Sequence, residues 1–379
     1  MKKLLVTVVL LMALCVFAVP AQASEISISS GAAVLMDLDS GRVLFGKNAD
    51  LRLPPGGLTK NMTGLLAAER IDLDFVVELP STFVPVTGGG AGLNPRDKRT
   101  VEALLYATLL HSSNNAAQAL AIGVSGSEKS FESLMNQRSA ELGMTNTTWR
   151  NVHGLHEEGQ LTTAYDMALL TRAAMQNPIY AGIVKTEYVT DVPWGEGKTE
   201  TFSHNDITFL RSHREVNNGV RTGYTSQSGY CIAASATRGG ITLVAVIMDA
   251  GSRQTAYDEV IDLLNYGFEN YSRVKAGSQG EKLGTVKVSG ARNQTVDAVL
   301  AEDVHIPLHK SNDKPVKSVS LPEKLEAPVA KGDVIGSVTF ADGDFEITVE
   351  LLAAENVKRR VFWDIFRQAF KRIFSVWVK

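Results

Sequence analysis

The chain has 379 residues, enough for two domains and too many for one small module. Apolar residues make up 44 % and charged residues 21 %, which excludes wholesale disorder, a collagen-like repeat and a disulfide-stapled miniprotein. With 38 basic and 41 acidic residues the net charge is −3, which argues against a general nucleic-acid binder, so no nucleic acid is expected as a partner.

The first element in chain order is a leader. Lys2 and Lys3 precede an apolar run from Leu4 to Val19, broken only by Thr7. Pro20-Ala21-Gln22-Ala23 then places small residues one and three positions before Ser24. This pattern predicts a secretory signal peptide over 1–23, with a run too short for a membrane span. Its removal takes Cys15 and leaves Cys231, in an apolar stretch, as a buried structural thiol. Residues 24–275 alternate strand-like and helix-like patterns. Ala32–Met36, Ser228–Ala236 and Ile241–Met248 read as strands. Thr100–Ile122 reads as one helix, and Leu161–Gln176 as another, with Thr163 and Asp166 as a capping pair. Residues 276–355 change character. Gly284–Val288, Val316–Leu321, Val334–Phe340 and Phe345–Leu352 alternate between Gly, Pro and Asp punctuation, which predicts a small all-β, sandwich-like domain. Residues 356–379 predict an amphipathic helix. Between Lys358 and Lys379, aromatic and aliphatic residues recur every three or four positions, and seven basic side chains oppose only Asp364. Aromatic and basic residues together suit a helix lying in a membrane interface, so 358–379 are expected to bind a membrane surface.

Three segments carry candidate chemistry: Pro55-Gly56-Gly57-Leu58-Thr59-Lys60, His111-Ser112-Ser113-Asn114, and Gly219-Val220-Arg221-Thr222-Gly223-Tyr224. Their order and spacing resemble the S-x-x-K, S-x-N and K-T-G motifs of penicillin-binding proteins and serine β-lactamases. With the flanks Asp37–Leu44, Thr163–Ala168 and Gly223-Tyr224-Thr225, the chain resembles the low-molecular-mass D-alanyl-D-alanine carboxypeptidases over nearly its whole length. The resemblance implies an α/β (α+β) penicillin-binding-protein fold. An antiparallel sheet would be flanked by helices, with a mostly helical lobe inserted, a small all-β domain behind it and an amphipathic anchor at the end. It implies export to the outer face of the cytoplasmic membrane, the periplasm or the cell wall. It also implies peptidoglycan stem peptides as partners, β-lactams as non-covalent ligands, and no cofactor.

Two positions depart from the family pattern. Gly57 stands where the family carries its nucleophilic serine, and Arg221 stands where lysine is usual. Acyl transfer needs a nucleophile, a base, an oxyanion hole and a clamp for the terminal carboxylate. The resemblance assigns Lys60 as base, with a pKa lowered by burial and neighbouring charge. It assigns Ser112 as proton relay and Asn114 to hold the substrate amide or Lys60. Arg221 and Thr222 would grip the substrate carboxylate, for which the planar guanidinium suits. Gly57 and Tyr224 would supply oxyanion-hole N–H groups, with Gly223 between clamp and hole. The site thus keeps its binding parts and lacks its attacking atom, so little or no hydrolysis is expected. Two alternatives stay open: a carboxypeptidase with an unorthodox nucleophile, and a non-catalytic scaffold of the cell wall. Two adjacent glycines also raise the entropy lost on ordering, which predicts a looser helix start.

Other features are weaker. Ser272-x-x-Lys275 and Ser311-x-x-Lys314 match the bare pattern but begin no apolar helix. His153 with His156, and His305 with His309 across Pro307, lack the companions of a metal site, and no metal is expected. Gly88-Gly89-Gly90 reads as a flexible loop.

Overall fold

The computed structural model describes residues 26–360, apart from 196, 215 and 292. The expected leader over 1–23 lies outside them, as do residues 361–379 of the expected terminal helix. The strands are β1 (Ala32–Asp37), β2 (Val43–Lys47), β3 (Val76–Glu78), β4 (Lys98–Thr100), β5 (Tyr188–Pro193), β6 (Thr199–Ser203), β7 (Gly219–Thr225), β8 (Gly229–Arg238) and β9 (Ile241–Ala250). The second half adds β10 (Tyr271–Gly277), β11 (Lys282–Ser289), β12 (Thr295–Leu300), β13 (Val304–His309), β14 (Val316–Ser320), β15 (Lys324–Glu326), β16 (Val334–Asp342) and β17 (Phe345–Ala353). The helices are α1 (Thr59–Arg70), α2 (Val101–Leu109), α3 (Asn114–Ser125), α4 (Glu128–Glu141), α5 (Ala164–Gln176), α6 (Pro178–Val184), α7 (Ile207–Ser212) and α8 (Arg253–Asn270).

The central sheet has the order β2-β1-β9-β8-β7, with every pair antiparallel. It is covered on both faces, which is why its inner strands read as apolar runs rather than as alternation. On one face Ala32, Val34, Met36, Val244 and Val246 meet Leu58, Met62, Leu65 and Leu66 at α1 and the helices beyond it. On the other face Ala33, Leu35, Ala245 and Ile247 pack on Val260, Leu263 and Leu264 of α8. The lobe from α1 to α6 is inserted between β2 and β7.

Thr100–Ile122 is two helices rather than the single expected one. Ser113 caps α3 by accepting from the Ala116 N–H at 3.2 Å, and Ser112 adopts φ +56°. A cap plus one left-handed residue reverses the chain without disturbing the apolar periodicity on either side.

The β-rich half builds a six-stranded sheet, β14-β16-β17-β12-β11-β15, and a β10–β13 ribbon. Val286, Val296, Leu300, Phe340 and Leu351 of the sheet share one core with Val304, Ile306 and Leu308 of the ribbon. The onset of the terminal helix is corrected here. Val357 bridges to Val329, Arg359 to Ala291, and the Arg360 N–H donates to the Gly290 carbonyl at 2.8 Å, so these residues are extended along the β domain.

No linker separates the two halves: α8 ends at Asn270 and β10 starts at Tyr271. Arg42, in the β1–β2 turn, reaches across to Asp342 at 2.6 Å and to the carbonyls of Pro307 and Asp342 at 2.6 and 2.9 Å. The rings of Tyr271 and Phe345 flank its guanidinium. Arg42→Ala leaves the nearly buried Asp342 carboxylate with only the His309 N–H and the Asn312 amide as donors, and is expected to lower stability by about 3 kcal/mol. Urea unfolding at pH 7 checks this, and a loss no larger than that of an exposed ion pair would refute it.

Candidate active site

The three motifs converge on one cleft of about 470 Å³. Its first wall is the turn that starts α1. Gly56–Leu58 form a 3-10 turn, Gly56 holds φ +52°, and the Thr59 hydroxyl closes the turn on the Gly56 carbonyl at 2.9 Å. The glycine pair does not loosen this turn. It lets the turn press on β7: a Cβ placed on Gly57 would lie 2.9 Å from the Gly223 Cα and 3.3 Å from the Thr222 carbonyl oxygen. Thr59 is fully buried and absent from the cleft lining.

One helical turn on, Lys60 points into the cleft and is only 3 % exposed. Its Nζ donates to the His153 carbonyl at 2.7 Å, and Thr63 donates to the Val152 carbonyl at 2.6 Å, so α1 carries the 151–155 loop. Burial, and then the charge of Arg221, lowers the Lys60 pKa to about 7. His153 is neutral, because burial and the Lys60 charge lower its pKa to about 4. Gln160 steadies the loop through its side-chain oxygen, which accepts from the N–H groups of Arg150 and Asn151 at 2.9 Å each. Gly154 packs so tightly on the Gly56 carbonyl that a Cβ there would clash outright.

Ser112 and Asn114 form the opposite wall. The Asn114 side-chain N–H₂ donates to the carbonyls of Gly88 at 2.7 Å and Thr87 at 3.1 Å. Its amino group thus ties down the glycine loop rather than lying free for a ligand. Gly88 and Gly89 themselves line the cleft. Ser112 Oγ accepts from Arg221 at 3.5 Å.

Arg221 is 2 % exposed and absent from the cleft lining. Strand alternation turns it toward the helical lobe, where it donates to the Leu109 carbonyl as well as to Ser112. Burial pulls its pKa below the usual value, against the opposing pull of Tyr180 and Asp206. It therefore reaches the cleft only through Ser112. Thr222, Gly223 and Tyr224 do line the cleft. Tyr224 is 54 % exposed, its ring 4.4 Å from that of Tyr230. Cys231 also reaches the cleft lining, but burial pushes its thiol up to about 11, so it stays protonated.

Sequence reasoning missed the cluster behind Thr222. The Thr222 hydroxyl lies 2.9 Å from both carboxylate oxygens of Asp206, and the Tyr257 hydroxyl donates to the same carboxylate at 2.6 Å. His204 orients this turn: its Nδ1 accepts from the Asp206 N–H at 3.0 Å, which leaves Nε2–H for the Val220 carbonyl at 2.9 Å. Burial lowers the His204 pKa to about 4, consistent with that neutral ring. Arg253 and Tyr257, on the first turns of α8, also line the cleft. No sequence motif flags these residues. The remaining serine–lysine pairs lie elsewhere, Ser272 and Lys275 on β10 and Ser311 and Lys314 beyond β13.

Comparison with known proteins agrees with this geometry. The profile of the D-alanyl-D-alanine carboxypeptidase family matches residues 19–252, and that of the penicillin-binding protein 5 C-terminal domain matches residues 271–359. The chain is 33 % identical over 375 residues to the D-alanyl-D-alanine carboxypeptidase DacC of Escherichia coli K12, covering 93 % of this chain and 91 % of that one. It is 29 % identical to DacF of Bacillus subtilis across the full length of both chains. Penicillin-binding protein 5 from Haemophilus influenzae superposes with a TM-score of 0.76 at 26 % identity, over 88 % of this chain and 99 % of that one. The chain belongs to the D-alanyl-D-alanine carboxypeptidase family.

Proposed function

We propose that this protein binds D-Ala-D-Ala stem peptides of peptidoglycan and hydrolyses them very slowly or not at all. The observation that carries this reading is Gly57 in the lining of a cleft that still holds Lys60, Ser112, Asn114 and Thr222. A base at a pKa of about 7, with a hydroxyl across from it, is poised for proton transfer, but position 57 offers no oxygen to activate. Backbone N–H groups of Gly57 and Tyr224 would hold the peptide carbonyl, and β-lactams would bind without a covalent bond. The domain over 24–275 carries this activity and the domain over 276–355 supports it. The leader and residues 358–379 set the protein at the outer face of the cytoplasmic membrane, in the periplasm or cell wall. Among the described residues, no helix is long and apolar enough to cross a membrane.

Isothermal titration with a stem pentapeptide ending in D-Ala-D-Ala tests the reading. Saturable binding without D-alanine release is expected. Absence of binding to both the peptide and isolated cell wall would overturn it. Direct attack by water, with Lys60 as base, is the second reading, favoured by the low Lys60 pKa. It requires D-alanine release that disappears in Lys60→Ala.

A further inference from the structure

The β domain carries a row of cations on neighbouring strands. Val286 and Val288 are buried in its core, so strand alternation turns Lys287 outward. Lys287 pairs with Lys324 of β15 on one side and with Thr295 of β12 on the other. Paired residues on adjacent strands share a face, so two ammonium groups and a hydroxyl stand in one line across β12, β11 and β15. Like charges side by side on a sheet are destabilising until an anion joins them. The three residues line a groove of about 380 Å³ together with Ser289, Gln294 and Arg360. The Arg360 N–H, bonded to the Gly290 carbonyl at 2.8 Å, fixes that residue beside the turn between β11 and β12. Among the described residues that line the groove there is no aspartate or glutamate. Among the described residues, Lys324 reaches Glu326 only at 4.0 Å, and Lys287 and Arg360 form no ion pair.

Three cations, two hydroxyls and an amide are a donor set for phosphate oxygens. The place of the groove in the chain says where the phosphate comes from. The described chain leaves it at Arg360, directly after the exposed Lys358 and Arg359. Val361, Phe362 and Trp363 follow, the start of the aromatic and basic stretch expected at a membrane surface. We propose that this face of the β domain is a headgroup site for anionic phospholipid, which docks the β domain on the same membrane surface as residues 358–379. This rests on the reading that those residues set the protein at a membrane. A zwitterionic headgroup offers the same phosphate but brings its own ammonium toward Lys287 and Lys324, so the groove selects anionic lipid.

The test is co-sedimentation of the full chain with vesicles of phosphatidylcholine alone and of phosphatidylcholine mixed with phosphatidylglycerol. The unaltered protein is expected to bind the mixed vesicles more tightly. Lys287→Gln with Lys324→Gln is expected to weaken that binding by about 25-fold, about fivefold for each charge, and to leave binding to phosphatidylcholine unchanged. Thr295→Glu keeps both lysines, brings a carboxylate into the row and is expected to act in the same direction. Lys129→Gln with Lys185→Gln removes the same charge from the helical lobe and is expected to change nothing. Equal weakening by the two lysine pairs reduces the effect to net charge and overturns the proposal. Unchanged binding to the mixed vesicles in Lys287→Gln with Lys324→Gln also overturns it and leaves the membrane reading intact. If that variant instead loses only calorimetric binding of inorganic phosphate, the groove takes free phosphate and the assignment to lipid falls. Binding of the unaltered protein to neither vesicle overturns the proposal and the membrane reading together.

Discussion

Fluorescent penicillin is expected to leave no covalent label on the chain as it stands, and Gly57→Ser is expected to acquire one. Loss of the attacking hydroxyl costs a serine hydrolase about a million-fold in turnover, because the oxyanion hole and binding alone replace little of it. The rest of the constellation is assembled around position 57: Lys60 one turn on, Ser112 across the cleft, and β7 alongside. The new side chain does not enter freely. Its Cβ would meet the Gly223 Cα at 2.9 Å and the Thr222 carbonyl at 3.3 Å, both backbone atoms, so α1 and β7 must part by a few tenths of an ångström. Overpacking of this kind costs about 1–3 kcal/mol. Gly57→Ala carries the same Cβ without the oxygen. It is expected to lose the same stability as Gly57→Ser and to gain neither label nor D-alanine release. Labelling of the unaltered chain would show that another residue attacks, and mass spectrometry of the adduct would locate it. Failure of Gly57→Ser to label would place the defect beyond one missing atom, with Arg221 in the lysine position the next residue to exchange.

Lys60 gives the second large effect, a dependence of stability on pH. The unfolded chain holds the Lys60 proton up to about pH 10.5, whereas the folded chain releases it near pH 7. Below pH 7 both states are protonated, and the penalty for burying the charge is fully present. Between pH 7 and 10.5 the unfolded state binds more protons, so stability rises with pH. A single such group contributes a slope approaching ~1.4 kcal/mol per pH unit. Lys60→Met is expected to flatten that slope, while its loss of the bond to the His153 carbonyl costs the same at every pH. Urea unfolding of both proteins at pH 6, 8 and 9.5 measures the difference. Cys231 is present in both proteins, so its contribution cancels in the difference. Parallel curves would mean that water reaches Lys60.

The sheet was legible because of where it lies. β1, β8 and β9 are buried on both faces over most of their length, so small, apolar and β-branched residues follow one another without regular polar alternation. The start of α5 was legible because Thr163 accepts from the Asp166 N–H at 3.0 Å, a local bond with a local pattern. The break after Leu109 was not, since one left-handed serine leaves the apolar stripes intact. The motif residues announced themselves by spacing, but their orientations did not. Alternation along β7 puts Arg221 and Thr222 on opposite faces, and only the packed lobe decides which face is the cleft. Asp206, Arg253 and Tyr257 were invisible for a related reason. Asp206 bonds Thr222 from 16 residues away, and Arg253 and Tyr257 share its cleft from 31 and 35 residues away, with no periodicity linking them. Gly57 was misjudged in its packing: chain entropy suggests slack, whereas the missing side chains let two backbones close together.

The direct passage from α8 into β10 gives the molecule a continuous load path. The described chain ends on short bridges, Val357 to Val329, Arg359 to Ala291 and Arg360 to Gly290, so tension applied at residue 360 enters the β domain without slack. From there it meets Arg42 on one side and, through Lys310 bonded to the Asn270 carbonyl, the end of α8 on the other. That helix has 18 residues, a stiff rod of about 27 Å, and its far end carries Arg253 and Tyr257. The bridges at residues 357–360 and the rim residues of the cleft are thus joined by an unbroken run of paired strands and one helix.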